Sequence, residues 1–183
     1  MTSPTLDCSD LDRYIGKPMQ PARMVDPFAN NAIRRWVQAM HYPNRLHYDH
    51  SFAMESRYGE LIAPQSFPVT MDDGHGSAPS CIGLIPNSHM LFGGDEWWFY
   101  GPRIRSGDKI TRARMLFDYK VSQTGFAGPT MFSRGDTEYV NQRGEFICKQ
   151  RSTSIRYLAE QATVPHHGLD LVEVARAHGV DAS

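Results

Sequence analysis

The sequence predicts an α+β fold in which a curved antiparallel sheet wraps around a central helix. The first half of the 183-residue chain carries apolar residues at helical spacing, interrupted by prolines. The second half alternates between apolar and polar residues with the period of two that marks β-strands. A helical region followed by four long strands is typical of folds in which helices pack on one face of an antiparallel sheet.

The first half contains one clear amphipathic helix and two shorter candidates. Residues 27–43 place apolar side chains on one helical face, namely Ala29, Ile33, Trp36, Val37 and Met40. Residues 50–57 predict a second, short helix. A third helix is expected to begin at Pro64, because proline suits the first helical position, although Pro68 in the second turn predicts a bend or a later start. This third helix is the one that the sheet would wrap.

Four strands are predicted in the second half, at residues 90–100, 109–122, 130–141 and 146–158. Turns that contain glycine separate the last three, so consecutive strands are expected to pair as an antiparallel meander. Residues 74–89 precede the first strand and form a loop rich in Gly, Ser and Pro. Loops of this length in compact domains are often functional, and this one is a candidate lid.

The composition indicates a single domain and excludes several classes of function. Residues 1–22 are expected to form an N-terminal arm, residues 23–160 the folded domain, and residues 161–183 a tail with a short helix. Lys and Arg total 19 against 20 Asp and Glu, so a net charge of −1 favours neither nucleic acid nor acidic ligands. No apolar run approaches the ~20 residues of a membrane helix, and the first residues do not resemble a secretion signal. Three widely spaced cysteines suggest no disulfide framework, and we expect a cytoplasmic protein.

The side chains best suited to take part in catalysis lie between Ala39 and Phe67. Residues 39–53 read AMHYPNRLHYDHSFA, and LIAPQSF follows nearby at residues 61–67. His47 is expected in an irregular loop after the amphipathic helix. The turn that begins at Pro64 would offer free backbone N–H groups to a carbonyl oxygen. The two segments together predict an active site.

A metal site is an alternative interpretation of the same stretch. His41, His47 and His50 with Asp49 offer imidazole and carboxylate groups, which suit zinc or iron. Their spacing is not a recognised ligand pattern, however. We therefore expect no metal.

Five short runs together resemble one enzyme family. They are NRLHYD at residues 44–49, IAP at 62–64, GGDEWWF at 93–99, PRIRSGD at 102–108 and TEYVNQRGE at 137–145. In this order and spacing they resemble the MaoC-like dehydratases, which include the (R)-specific enoyl-CoA hydratases, and within them the fatty-acid-synthase-type dehydratase N-terminal group. The resemblance implies a single hotdog fold and the reversible hydration of 2-enoyl-CoA thioesters to 3-hydroxyacyl-CoA, without a cofactor.

The family motif D-x-N-P-L-H points to particular residues. In the family, its Asp and His share the proton transfers. His47 matches the His and Asn44 matches the Asn, but Tyr42 stands where the Asp belongs. His41 and Asp49 are further candidates for the missing role. A free tyrosine has a pKa of about 10 and is a poor base at neutral pH.

The resemblance also predicts where the thioester binds. Gln65 stands where the family uses a backbone N–H to hold the thioester oxygen. Pro64, Ser66, Gly94 and Trp97 are expected to line the substrate site.

The same family pattern leaves the assembly and two other functions open. A homodimer or a heterodimer with another hotdog subunit is expected. Because the family Asp is absent, the chain could instead be a non-catalytic subunit that shapes a pocket or binds acyl-CoA. A thioesterase is the third possibility, with Asp72 or Asp73 as its carboxylate.

Overall fold

The protein is built around one antiparallel sheet of five strands. The computed structural model describes residues 6–23, 27–72 and 75–162. The short helix predicted after Gly168 lies outside these ranges. The strands are β1 (Ala22–Arg23), β2 (Ser88–Phe99), β3 (Ile110–Thr124), β4 (Gly128–Asn141) and β5 (Phe146–Leu158). The predicted α+β class with a curved antiparallel sheet is confirmed.

The order of the strands differs from the predicted meander. The sheet runs β1-β3-β4-β5-β2, so β2 pairs with β5 and not with β3. The segment from Phe99 to Ile110 crosses the end of the sheet, and Ile104 within it is buried. The Ala63 N–H donates to the Ile104 carbonyl at 2.8 Å. This crossing segment therefore packs against the residues that precede Pro64.

The sheet bends because its strands carry bulges. The register shifts between Phe92 and Gly94 in β2, and between Leu116 and Asp118 in β3. An extra residue in one strand increases local twist and curvature. The resulting concave face holds the helices and the core.

Two of the three predicted helices are confirmed and the third is corrected. Helix α1 spans Asn30–Ala39 and helix α2 spans His50–Glu55. The helix expected at Pro64 begins at Phe67 instead and is a five-residue 3₁₀ helix, Phe67–Met71. Pro68 supplies no N–H, which explains the late start. No helix in the described part of the chain has both the length and the hydropathy to cross a bilayer.

The core consists of two apolar clusters on the concave face. The first includes Ile33 of α1, Phe67 and Tyr139. The second includes Leu116 and brings in Leu11, which lies in the predicted N-terminal arm and is fully buried. Residues of the arm also bridge to Leu116 and Met115, and thus cover the outer edge of β3.

The protein also contains a buried polar region around Ser80. The Ser80 hydroxyl lies 2.9 Å from the hydroxyls of both Ser152 and Ser154. The Ser133 hydroxyl donates to the Ser80 carbonyl at 2.6 Å. The Arg156 guanidinium donates to carbonyls of residues 81–83. Residues 80–83 of the candidate lid are thus fixed to the sheet, and Ser88 and His89 at its end belong to β2. A lid function for the loop stays a prediction.

Candidate active site

His47 occupies the end of a single 3₁₀ turn between the two α-helices. This turn spans Arg45–His47, and the Asn44 side chain caps it by accepting from the Leu46 N–H at 3.1 Å. The His47 Nδ1 atom lies 2.8 Å from the carbonyl oxygen of Ile62. A carbonyl can only accept, so Nδ1 carries the proton in the neutral ring and Nε2 keeps its lone pair.

The surroundings favour the neutral form of His47. The side chain is 9% exposed, and this burial lowers the pKa of the imidazole. The bond to Ile62 opposes that shift, while the positive charge of Arg103 adds to it. The pKa of His47 therefore lies below its ordinary value. A neutral imidazole with a free Nε2 lone pair is suited to accept a proton.

Tyr42 is joined to the Pro64 turn by a short hydrogen-bond network. Its hydroxyl lies 2.9 Å from the Ser66 hydroxyl, and the Trp36 indole N–H donates to the same oxygen at 3.2 Å. The Tyr42 ring is half-buried, and its centroid lies 6.5 Å from that of His47. Tyr42 therefore links α1 to the turn on one side of the imidazole.

The turn at Pro64 exposes two backbone donors. The Phe67 N–H donates to the Pro64 carbonyl at 3.0 Å, which closes the turn. Within the described ranges, the N–H groups of Gln65 and Ser66 have no hydrogen-bond partner. The Gln65 side chain donates to the Phe99 carbonyl at 3.2 Å and fixes the turn on the crossing segment. Two adjacent free donors on a rigid turn can bind an oxygen that gains negative charge.

A small cavity lies beside this turn. Its volume is about 10 Å³, which is enough for a single water molecule. Its lining includes Pro64, Gln65, Arg103 and Ile104. The structure thus brings His47, Tyr42, Ser66 and the Pro64 turn together, as three hydrogen bonds connect the two predicted segments.

Asn44 and Asp49 are engaged in shaping the loop. Asp49 caps α2 by accepting from the Phe52 N–H at 3.1 Å, and it forms an ion pair with Arg45 at 2.7 Å. The Phe52 N–H and the Arg45 guanidinium hold the pKa of the Asp49 carboxyl below its ordinary value. The two side chains thus hold the backbone that carries His47.

The remaining predicted residues lie in three different environments. His41 is exposed and adopts a left-handed backbone conformation with φ of 52°. Gly94 has φ of 138° at the bulge of β2, a conformation that favours glycine. Trp97 packs in the first apolar cluster, with its ring 5.5 Å from that of Tyr139. We found no contact that connects these three residues to His47.

From the sequence, Arg103 is a candidate for binding phosphate groups, and Tyr58 is a site residue that the sequence did not reveal. Arg103 is half-buried, lines the small cavity and lowers the pKa of His47. The Arg57 guanidinium donates a hydrogen bond to the Tyr58 hydroxyl and, together with Arg103, lowers the pKa of that phenol. Their proximity depends on the crossing segment, which the predicted meander did not contain.

The histidines of this stretch do not gather into a metal site. Across residues 6–23, 27–72 and 75–162, no group of three or more His, Cys, Asp or Glu side chains could hold a metal ion. The His47 Nδ1 atom is hydrogen-bonded to the Ile62 carbonyl, and the Asp49 carboxylate is hydrogen-bonded to the Arg45 guanidinium.

The chain is similar to known proteins over most of its length. A curated relative, the UPF0336 protein of Thermobifida fusca, is 28% identical over 134 residues, which cover 73% of this chain and 82% of the relative. The unliganded (R)-hydratase PhaJ1 of Pseudomonas aeruginosa superposes with a TM-score of 0.57 at 15% identity, covering 82% of this chain and 89% of that one.

Two further solved structures share the fold. The ChsH1-ChsH2 complex of Mycobacterium tuberculosis has a TM-score of 0.61 at 16% identity and covers 81% of this chain and 87% of that one. The MaoC-like dehydratase of Rhodospirillum rubrum has a TM-score of 0.58 at 16% identity, with 80% and 94% covered. These similarities establish the hotdog fold.

The family itself is established by a match over most of the chain. The family described as "FAS1-like, dehydratase domain region" matches residues 13–150. The resemblance to MaoC-like dehydratases that the sequence motifs indicated is confirmed. The chain therefore belongs to the FAS1-like dehydratase family of hotdog proteins.

Proposed function

We propose that this protein hydrates 2-enoyl-CoA thioesters to 3-hydroxyacyl-CoA thioesters and catalyses the reverse dehydration. The observation that carries the proposal is the His47 imidazole, whose Nε2 is free because Nδ1 donates to the Ile62 carbonyl. The turn with two free N–H groups supports it, since it begins two residues after Ile62. Membership of a dehydratase family points to the same reaction class.

The residues account for each step of water addition. His47 Nε2 takes a proton from water while the water oxygen bonds to C3 of the enoyl group. The electron pair of the C2–C3 double bond moves toward C1, and the thioester oxygen becomes negative. The N–H groups of Gln65 and Ser66 stabilise that oxygen. The carbonyl then re-forms as C2 takes the proton from His47, so that one water is added and the imidazole is neutral again.

Tyr42 takes a positioning role in place of the family carboxylate. Trp36 donates to one lone pair of the Ser66 oxygen, so Ser66 can donate its own proton to the Tyr42 oxygen. The Tyr42 O–H is then available to orient the attacking water or the thioester. Tyr42 needs no change of protonation in this role.

The same proposal includes a partner subunit. The outer edge of β2 is unpaired among the described residues, whereas the N-terminal segment covers the edge of β3. Met90, Leu91 and Phe92 on β2 are 40%, 47% and 56% exposed. An exposed apolar edge strand is a ready surface for pairing with another sheet. We propose a dimer through β2, formed by two copies or with a second hotdog chain.

A non-catalytic, acyl-CoA-binding subunit is the competing function. The tyrosine in place of the family Asp favours it, because a carboxylate is the usual second proton-transfer group. A thioesterase would require a carboxylate at the end of the 3₁₀ helix. Asp72 lies there, but its carboxylate accepts from the Gln150 side chain at 3.3 Å, and Asp73 lies outside the described residues.

An assay with two readouts separates these functions. The purified protein is incubated with crotonyl-CoA and with a bulkier 2-enoyl-CoA, while loss of the enoyl absorbance and release of free thiol are followed. We expect hydration without thiol release, and a fall of about 10²–10⁴-fold in kcat for His47→Ala. His50→Ala is the matched control, because His50 is an exposed residue of α2.

The outcomes separate the three candidates. Hydration that His47→Ala leaves unchanged would contradict the site. Thiol release without hydration would identify a thioesterase. Binding of the thioester without any turnover, alone or after dimerisation, would identify the non-catalytic subunit.

A further inference from the structure

A second and larger cavity lies beside α1 and adjoins the candidate active site. Its volume is about 500 Å³, within the range of pockets that bind small molecules and cofactors. The lining residues are Arg34, Val37, Gln38, His41, Tyr42 and Tyr48. Tyr42 lines this cavity and also belongs to the candidate active site, since its hydroxyl lies within hydrogen-bond distance of Ser66 in the Pro64 turn. A ligand in this cavity would therefore lie next to the proposed site of reaction.

The cavity offers the positive charge of Arg34, which no acidic side chain neutralises within the part of the chain that the structure describes. Arg34 is exposed, and among the described residues no carboxylate forms an ion pair with it. By contrast, Arg45 is paired with Asp49, and Arg105 is paired with Glu60 at 2.6 Å. The six lining residues include no Asp or Glu. An unpaired guanidinium in such a cavity is suited to a phosphate group.

The cavity also offers an aromatic surface and polar side chains. Tyr48 is 45% exposed, and its hydroxyl donates to the Pro43 carbonyl at 3.1 Å, which fixes the ring. A fixed, exposed aromatic ring can stack on a planar base. Gln38 and His41 lie one turn and two turns after Arg34 along the chain, and both can form hydrogen bonds with a base or a sugar.

We propose that this cavity binds the adenine nucleotide of a coenzyme A thioester. Arg34 contacts the phosphates and Tyr48 stacks on the adenine ring. The pantetheine arm then passes Tyr42 to place the thioester at the Pro64 turn. The inference rests on the proposed function in that it takes a thioester as the ligand. It adds that recognition depends on the nucleotide, which an acyl group carried on a protein-bound pantetheine does not have.

Binding can be measured without any turnover. We would titrate the protein with free CoA and with adenosine 3′,5′-bisphosphate by calorimetry. We expect Arg34→Gln to weaken both affinities about tenfold, because a charge-assisted bond to phosphate is lost. Arg35→Gln is the matched control, since Arg35 is the adjacent exposed arginine and does not line the cavity. Tyr48→Leu should weaken the affinity for both ligands as well.

Turnover provides the second readout. Arg34→Gln should raise KM for crotonyl-CoA about tenfold with an unchanged kcat, and should leave kcat/KM for crotonyl-pantetheine unchanged. Equal KM values for the two thioesters, unaffected by Arg34→Gln, would overturn the inference while leaving the hydratase proposal intact. CoA binding that depends on Arg34 in a protein without hydratase activity would support the inference and overturn the proposed function.

Discussion

Two polar regions of the concave face differ in how much of their hydrogen-bonding capacity is used. Around Ser80, the hydroxyl meets two other serine hydroxyls, and Arg156 binds three successive carbonyls. At the candidate active site, His47 uses Nδ1 only, and the N–H groups of Gln65 and Ser66 are unpaired within the described ranges. Both regions contain buried polar groups. Among the described residues, the Ser80 region leaves one buried donor unpaired, the Arg156 Nε atom, whereas the candidate active site leaves two adjacent N–H groups and the His47 Nε2 lone pair available beside a cavity.

The difference shows that burial of polar residues does not by itself identify a site. Satisfied buried groups stabilise one arrangement of the chain, and leaving one unpaired costs about 1–3 kcal/mol. Groups that remain available beside a cavity can bind substrate. We therefore expect substitutions around Ser80 to change stability and substitutions around His47 to change turnover.

The largest change in stability is expected for Gly135→Ala. A Cβ atom at this position would lie 2.2 Å from the Ser80 nitrogen and 2.5 Å from the Pro79 carbonyl carbon. Because these neighbours are backbone atoms, the segment over the sheet must move, and we expect a loss of about 3 kcal/mol in the free energy of unfolding. Urea denaturation measures the loss.

Gly125→Ala is the control for this substitution, because no atom lies within 4 Å of the Cβ position there. Equal stability of the two variants would show that residues 79–80 are not fixed against β4.

A smaller loss of stability is expected for Ser80→Ala. The substitution removes the hydroxyl shared by Ser152 and Ser154, and should cost about 1–2 kcal/mol while leaving kcat unchanged. The exposed Ser106→Ala should change neither quantity. If kcat falls for Ser80→Ala under conditions in which the variant is fully folded, the distinction between the two regions is contradicted.

Tyr42→Phe should produce the opposite pattern. It removes the hydroxyl that faces Ser66, so we expect kcat to fall about tenfold as the water or thioester loses its orientation. The free energy of unfolding should change by only about 1 kcal/mol, since Tyr42 is half-buried and its ring is retained. Steady-state kinetics and urea denaturation test the two parts. An unchanged kcat would remove Tyr42 from the reaction.

Much of the fold was predictable from the sequence. Strand β5 has the predicted bounds, because its alternation reflects one face against the core and one against solvent. The pairing of β2 with β5 was not predictable, since periodicity identifies strands but not their neighbours. The 3₁₀ helix at Phe67–Met71 replaces the longer predicted helix because Pro68 interrupts the pattern.

The candidate site was predictable only in part. The sequence selected both segments, and the resemblance aligned His47 with the family His. It could not show that the His47 Nδ1 atom is bound to Ile62 or that Ser66 faces Tyr42, because these contacts join residues 15 and 24 positions apart. It also could not show that the charge of Arg103 acts on His47. This proximity depends on the crossing segment, which follows from the pairing of β2 with β5.

A further prediction concerns the charge next to His47. Arg103 helps to lower the pKa of the imidazole, after burial itself. Arg103→Gln removes this positive charge, so the pKa of His47 should rise. The acid limb of the rate profile should then move to higher pH. Arg105→Gln is the control, because Arg105 is paired with Glu60. An acid limb that moves to lower pH would contradict the position assigned to Arg103.

The most direct test of His47 as the proton acceptor is the pH dependence of kcat/KM for crotonyl-CoA hydration between about pH 5 and pH 8. Only the neutral imidazole can take a proton from water, and the pKa of His47 lies below the ordinary value of about 6.5. Activity should therefore persist below pH 6.5 and fall in a single step at lower pH, with a midpoint that Arg103→Gln raises. A profile whose midpoint lies above about 6.5 would contradict the assignment.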